Sequence, residues 1–293
     1  MLNIIHISDL HFNKKWSEDQ GVILRLFIDD IKKRIDSSKK NVVVFSGDLL
    51  QYGSDIELYD LLEKSVFCKL FELGISKKDL YLCPGNHDLN RDIVQESMPL
   101  FEGVQSKIKS QRSLNDMFSV VANKQIFETK FTPYLEWQSK YGPDSDTDCD
   151  LFGRGFSIDG GIGVYCINTA IFSFGGAKGM AGEVIEDDRN LVVETRSLEN
   201  WLDRSSSNFR ILIMHHPTDW LVDWSRTALS ECIERSFDLV LYGHVHHGGA
   251  FHKTDGVNRA VFCVSPPLFD AVSNAQGYSI IRIEGESYDL SIE

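Results

Sequence analysis

The chain has 293 residues, 42% of them hydrophobic and 25% charged, a composition that fits a globular protein long enough to bury a layered core. Its 43 acidic against 30 basic side chains give a formal charge of -13, which excludes a general electrostatic affinity for duplex DNA but leaves room for local capture of a phosphate by bound cations. No charged-then-apolar leader opens the chain and no apolar run approaches the ~18 residues of a membrane span, so no membrane partner is expected.

Six cysteines, Cys68, Cys83, Cys149, Cys166, Cys232 and Cys263, are scattered without a C-x-x-C pair. Buried free thiols and a reducing, cytoplasmic location are the expectation. Length permits more than one domain, but a single domain over 1–293 is the simplest reading.

In chain order, apolar runs rich in β-branched residues at 3–8, 41–46 and 79–83 predict buried strands, and helix-spaced apolar residues over 22–35 and 56–73 predict helices between them. That alternation is the pattern of an α/β fold with a mainly parallel sheet. Residues 89–150 interrupt it and are expected to form a helical insertion. Within it Ser113 is expected to cap a helix running to about Lys130, and Thr132 with Pro133 to start the next. Phe127, Phe131 and Leu135 recur four apart as a core stripe.

The acidic run 144–150 has the alternation of a calcium loop. It places Cys149 where such a loop needs glycine and Gly155 where it needs glutamate, so a solvated loop is expected. The glycine-rich stretch 175–182 lacks the order of a P-loop and reads as a flexible loop. A second set of strands is predicted at 156–158, 163–168, 210–214, 239–242, 260–264 and 278–283, with helices at 193–202 and 226–235 and a last strand-like run before Glu293. Two sheets with helices outside both is the architecture this implies.

Five polar clusters each follow a predicted strand: Asp9-Leu10-His11, Gly47-Asp48, Gly85-Asn86-His87-Asp88, Met214-His215-His216-Pro217 and Gly243-His244-Val245-His246. The carboxyl ends of strands in open α/β sheets are where ligands bind, so distant clusters can converge on one site. Residues at i and i+2 of extended backbone share a face, which pairs Asp9 with His11 and His244 with His246. A glycine before Asp48, Asn86 and His244 allows a tight turn and close approach. His6, inside the first strand, and His252, near no cluster, are read as structural.

Taken together the clusters resemble the pattern of the calcineurin-like metallophosphoesterase family: D-x-H, G-D, G-N-H-[DE], a later histidine and G-H-x-H. The resemblance runs from Ile4 to about His246 and lacks none of the family's ligands. It implies an α/β, four-layer αββα sandwich of two mixed sheets flanked by helices. It also implies two divalent metal ions, one held by Asp9, His11 and His246, the other by Asn86, His215 and His244, with Asp48 bridging both. His215 rather than His216 takes the ligand role because it directly follows the strand.

Carboxylate, amide and imidazole donors without thiolate suit Mn, with Fe, Zn, Ni or Co as alternatives, and the resemblance implies attack by a metal-bound hydroxide. His87 resembles the family histidine that acts on the phosphoryl group or leaving oxygen, with Asp88 orienting it or a neighbouring ligand, or else capping a helix. The motifs look most similar to the bacterial cyclic-nucleotide phosphodiesterase-like branch, so a nucleotide-like phosphodiester is the expected substrate. The alternatives are a phosphomonoester, or DNA or RNA as for a nuclease. Residues 89–150 carry seven basic and ten acidic side chains, which does not make an obvious DNA clamp. A non-catalytic scaffold, as some family members are, ranks below these because such proteins have eroded ligands.

Overall fold

The computed structural model describes residues 1–14, 18–143, 151–158, 161–179, 182–254, 259–269 and 276–293, without the side chains of 18–19, 252–254 and 259. The acidic run at 144–150, with Cys149, therefore lies outside the described residues, as do positions 180 and 181 of the glycine-rich stretch and the side chain of His252.

The first half runs β1 (Leu2–Ile7), α1 (Glu18–Arg34), β2 (Lys40–Phe45), α2 (Ile56–Leu62), a π-helical turn at Glu63–Phe67, α3 (Cys68–Glu72) and β3 (Leu80–Leu82). Five helices follow: α4 (Arg91–Glu96), α5 (Met98–Gln105), α6 (Gln111–Phe118), α7 (Val121–Thr129) and α8 (Thr132–Gln138). The second half is β4 (Gly153–Ile158), β5 (Ile162–Ile167), α9 (Arg196–Arg204), β6 (Phe209–Ile213), α10 (Asp223–Ser236), β7 (Leu239–Tyr242), β8 (Gly249–Thr254), β9 (Arg259–Val264), β10 (Ser279–Glu284) and β11 (Asp289–Ile292).

These strands make two mixed sheets, in the orders β11-β10-β1-β2-β3 and β4-β5-β6-β7-β9-β8. The strands that carry the polar clusters are parallel within each sheet: β1 with β2, β2 with β3, and β6 with β7. Side-chain alternation along them builds the layers. Ile4, Val42 and Val44 meet Val164, Ile211, Ile213 and Leu241 in a core between the sheets. Ile5, Val43 and Phe45 face α1–α3, while Leu212 and Val240 face α9 and α10. The order helix, sheet, sheet, helix is the four-layer αββα sandwich.

Element boundaries depart from the pattern where local hydrogen bonds compete. The helix expected from Ser113 to Lys130 is two helices, and its cap is Ser110, whose Oγ accepts from Ser113 N at 3.2 Å while Ser113 Oγ accepts from Ser110 N at 3.0 Å. At the far end Ser119 Oγ donates back to Asp116 O at 2.6 Å, and Val120 is extended. The break lets Phe118 and Phe127 pack edge-on with centroids 5.6 Å apart. The helix expected over 193–202 begins only at Arg196. Val193 is drawn into the outer core, and the Glu194 carboxylate accepts from Arg196 N and Ser197 N at 2.9 and 3.0 Å. The edge strand β8 was not legible, since it lacks an apolar run. Cys83, Cys166, Cys232 and Cys263 are buried free thiols and Cys68 is partly buried, and among the described residues no helix is long and apolar enough to cross a membrane.

The helices after β3 are not an appendage. Lys130, in the stripe with Phe127 and Phe131, is buried and donates through Nζ to Ser173 O at 2.7 Å, with the Phe101, Phe127 and Phe131 ring centroids 5.2–5.5 Å away. On α8, Trp137 is buried 5.1 Å from the Tyr59 ring, 5.2 Å from Phe67 and 4.9 Å from Tyr141, inside the core under the first sheet. Excising α5–α8 would thus remove part of that core. Trp137→Ala is expected to cost about 3–5 kcal/mol by the loss of a large buried ring, to be read as a fall in urea midpoint; a change below about 1 kcal/mol would show that α8 packs independently of the sheet.

Candidate metal centre

The polar clusters leave β1, β2, β3, β6 and β7 at their carboxyl ends, and Ser46 O just past β2 lies 2.8 Å from His215 Nδ1 just past β6, so these strand ends of the two sheets lie together. The loops are tied to one another before any side chain is considered. Asp9 N donates to Gly47 O at 3.1 Å and His11 N to Asp48 O at 2.9 Å, so the first two clusters form a laddered pair beyond the strands.

The backbone there is unusual. Among the described residues seven non-glycine residues have positive φ, and five of them are Asp9 (52°), His11 (43°), Asp48 (53°), His244 (69°) and His246 (52°). Asp9 and His11 do converge, whereas His244 and His246 enter different donor sets, and all four sit in left-handed turns rather than on the shared face of an extended strand. Non-glycine residues in this region carry strain that surrounding structure must sustain, and such strain collects at functional sites.

The side chains gather as follows. Asp9 Oδ1 lies 3.3 Å from His246 Nε2 and 3.8 Å from His11 Nε2, and Asp9 Oδ2 accepts from His244 N at 3.0 Å. Asp48 Oδ2 lies 3.3 Å from His215 Nε2 and 3.9 Å from His11 Nε2, while its Oδ1 accepts from His87 N at 2.8 Å. Asn86 Oδ1 is 3.2 Å from the Nε2 of both His215 and His216, and His244 Nδ1 is 3.2 Å from His215 Nε2. Ligand atoms within 4.8 Å of one another define the sets Asp9-His11-His246, Asp9-Asp48-His215, His11-Asp48-His87 and His215-His216-His244. All seven residues expected to hold metal are therefore in one cluster, with His87 at its rim.

Three glycines make this approach feasible. A Cβ on Gly47 would fall 2.3 Å from His215 Nδ1, one on Gly85 2.1 Å from Asp48 Oδ1, and one on Gly243 2.6 Å from Asp9 Oδ2. His215 is oriented by Ser46 O, 2.8 Å from Nδ1, which leaves Nε2 free to face a cation. Beneath it His6 Nε2 lies 2.9 Å from Ser46 Oγ, so this strand histidine braces the residue that aims His215.

His216 also reaches the cluster, because the chain bends after Met214 and the rings of both His215 and His216 reach Asn86; His216 is braced by Thr169, whose Oγ1 is 3.0 Å from His216 Nδ1 and accepts from its backbone N. Of the three roles expected for Asp88, it neither caps a helix nor turns to His87, and its contacts lie with the loops of the neighbouring expected ligands Asp48 and Asn86. Its oxygens accept from Leu50 N at 3.1 Å and Gly85 N at 2.9 Å, clamping the second cluster's loop to the third, and Asn90 is the cap of α4. Arg91, which belongs to no motif, also joins the site, its Nη2 2.8 Å from His87 Nδ1.

The electrostatics follow from burial and proximity. Burial pushes the Asp9 carboxyl up, but His246 and His215 outweigh it and hold it at about 2. Asp48 is likewise pushed up by burial and brought well below the usual range by His215, His87 and His11. Burial alone would lower His215; Asp48 and Asp9 reverse this and raise it to about 9. Burial lowers His244 to about 3 and His216 well below its ordinary value. Asp88 is raised to about 7 by burial and by Asp48. The cleft thus holds two ionised carboxylates in apolar surroundings, balanced by imidazole.

The donor set fits a divalent cation. Asp9 Oδ1 and His11 Nδ1 are buried without a well-formed hydrogen bond, and the converging atoms are carboxylate, amide and imidazole with no thiolate. A family model described as calcineurin-like phosphoesterase matches residues 2–248. The chain belongs to the calcineurin-like phosphoesterase family. This member of the family is 23% identical over 265 residues to an uncharacterized metallophosphoesterase-like protein, YydB, of Bacillus subtilis, covering 89% of this chain and 52% of that protein. It is 24% identical to a component of the nuclease SbcCD of Staphylococcus epidermidis, covering 97% of this chain and 66% of the other. The chain thus spans between half and two thirds of the length of these relatives. Among solved structures, a dimetal phosphatase from Danio rerio superposes with a TM-score of 0.54 at 12% identity, over 96% of this chain and 92% of that one, a likeness of fold.

Gly85→Ala tests whether the close approach of the loops sets the site. The added Cβ would sit 2.5 Å from Asp48 N as well as against its carboxylate, so the variant is expected to lose at least one bound divalent ion by elemental analysis and to melt several degrees lower. Unchanged metal content and melting would show that the loops have slack.

Proposed function

We propose that the chain is a dinuclear metal-dependent phosphodiesterase. Asp9, His11 and His246 would hold one divalent ion, Asn86, His215 and His244 the other, and Asp48 would bridge them. The observation that supports this best is the place of Asp48, whose Oδ2 lies within 4 Å of His11 on one side and His215 on the other. Two bound ions, Mn first and Fe, Zn, Ni or Co as alternatives, would supply an activated water and neutralise charge on the phosphoryl group.

The chain's own residues do the rest. Ser46 O fixes the His215 tautomer, and Asp88 locks the Asp48 and Asn86 loops in register. His87 is half-buried at the rim, its ring centroid 4.6 Å from that of His11, where it can contact a substrate oxygen. His216 is a further donor beside Asn86; His215 is kept as the ligand because the Ser46 carbonyl aims its Nε2 at Asp48.

A nucleotide-like diester is the preferred substrate class, in a cytoplasmic setting. The similarity to a nuclease component along 97% of this chain favours nucleic acid as the second reading, with short or single-stranded substrates suiting the charge of -13.

Hydrolysis by the Mn-loaded protein of bis-p-nitrophenyl phosphate, p-nitrophenyl phosphate, cyclic nucleotides and short oligonucleotides separates these readings. Diesters are expected to turn over faster than the monoester, and Asp48→Ala to abolish turnover with loss of bound metal. Hydrolysis of the monoester alone would overturn the diester assignment, and Asp48→Ala retaining two ions would overturn the bridge.

A further inference from the structure

We propose that Arg91 is a positioning residue that fixes the His87 imidazole with its hydrogen on Nε2, so that His87 serves as a hydrogen-bond donor to a bound phosphate ester. The use of that donor rests on the phosphoesterase reading above; the state of the ring does not.

Donors and acceptors around the ring decide its tautomer. A guanidinium has N–H donors and no acceptor, and Arg91 Nη2 lies 2.8 Å from His87 Nδ1. Nδ1 must therefore present its lone pair, which places the ring hydrogen on Nε2. Gln51 offers both possibilities more weakly, with its Nε2 at 3.4 Å as a donor and its backbone O at 3.3 Å as an acceptor. The shorter contact decides, because a hydrogen on Nδ1 would set two N–H groups against each other at 2.8 Å.

The fold places Arg91 for this task. Asn90 caps α4 by accepting from Asp92 N and Ile93 N at 3.1 and 3.2 Å, which makes Arg91 the first residue of the helix and brings it back over the residue four positions earlier. Its guanidinium carbon lies 5.6 Å from the ring centroid of Tyr52, so an aromatic face supports it from the loop that carries Asp48 and Gln51. His87 is held from its other end by the Asp48 carboxylate at its backbone N. The imidazole is thus pinned at main chain and at Nδ1, which leaves Nε2–H as the group with a task to perform.

The consequence is chemical. A ring whose Nδ1 is occupied by a guanidinium can donate Nε2–H to a phosphoryl oxygen and keep its proton throughout, which stabilises charge whatever group departs. Arg91 acts through His87, so its loss should matter only while His87 is present.

Two measurements test this. In zinc-loaded protein labelled with ¹⁵N-histidine, His87, assigned by difference with His87→Gln, is expected to show an unprotonated Nδ1 and a protonated Nε2. The reverse assignment would overturn the proposal, and this reading is independent of turnover, so it stands apart from any failure of the diester assignment. On bis-p-nitrophenyl phosphate, Arg91→Met is expected to lower kcat about 10–100-fold, the usual worth of an outer partner to a functional histidine, with metal content unchanged and KM altered less. Arg91→Lys, which keeps a donor, should retain more activity than Arg91→Met. The double variant with His87→Ala should be no slower than His87→Ala alone. Additive losses would show that Arg91 contacts the substrate itself, and an unchanged kcat in Arg91→Met would show no role; either result overturns the proposal.

Discussion

Everything in this molecule is arranged around two carboxylates that have been taken out of water. Asp9 and Asp48 are buried to within 1% of their surface, at the edge where two apolar sheets meet. An ionised carboxylate in such a place is costly unless paired. Here the pairing is with imidazole edges of His11, His215 and His246 at 3.3–3.9 Å, an arrangement that divalent cations would complete. The same convergence forces five of the clustered residues into left-handed backbone, at a cost of order 1–3 kcal/mol each.

The sandwich is what sustains that cost. Its inter-sheet core runs up to Ile213, Leu241 and Cys83, one or two residues below the clusters. The loops above are then cross-tied by Asp88 and by the laddered hydrogen bonds between the first two clusters. The helices after β3 add a buttress, since Leu89 shares a core with Phe127, Phe131 and the loop through Phe172 and Phe174. Gly175, in that loop, sits so close that a Cβ would lie 2.9 Å from Asn86 O. Stability remote from the site and geometry within it are linked through these contacts.

Much of this was legible in the amino-acid sequence because it follows from period and punctuation. Apolar runs such as 41–46 can only be buried strands, and polar residues directly after them must lie at strand ends, which is why the clusters could be placed together without coordinates. What escaped was set by tertiary context. Nothing local distinguishes Ser110 from Ser113 as a cap, or predicts that Ser119 and Val120 will split a helix so that Phe118 can turn inward. The bend that brings His216 beside His215 depends on Thr169, 47 residues away. Asp88 reads as a partner for its neighbour His87, but its oxygens are claimed by backbone groups of Leu50 and Gly85. Arg91 carries no motif, and its meaning emerges only when the Asn90 cap starts α4 and swings it over His87.

The proposed chemistry depends above all on one carboxylate being shared by two cations. Anomalous diffraction from crystals of the manganese-loaded protein measures this directly. Two anomalous peaks about 3.5–4 Å apart are expected, both within bonding distance of Asp48, with Asp9, His11 and His246 around one and Asn86, His215 and His244 around the other. A single peak, or a second ion whose ligands do not include Asp48, would contradict it.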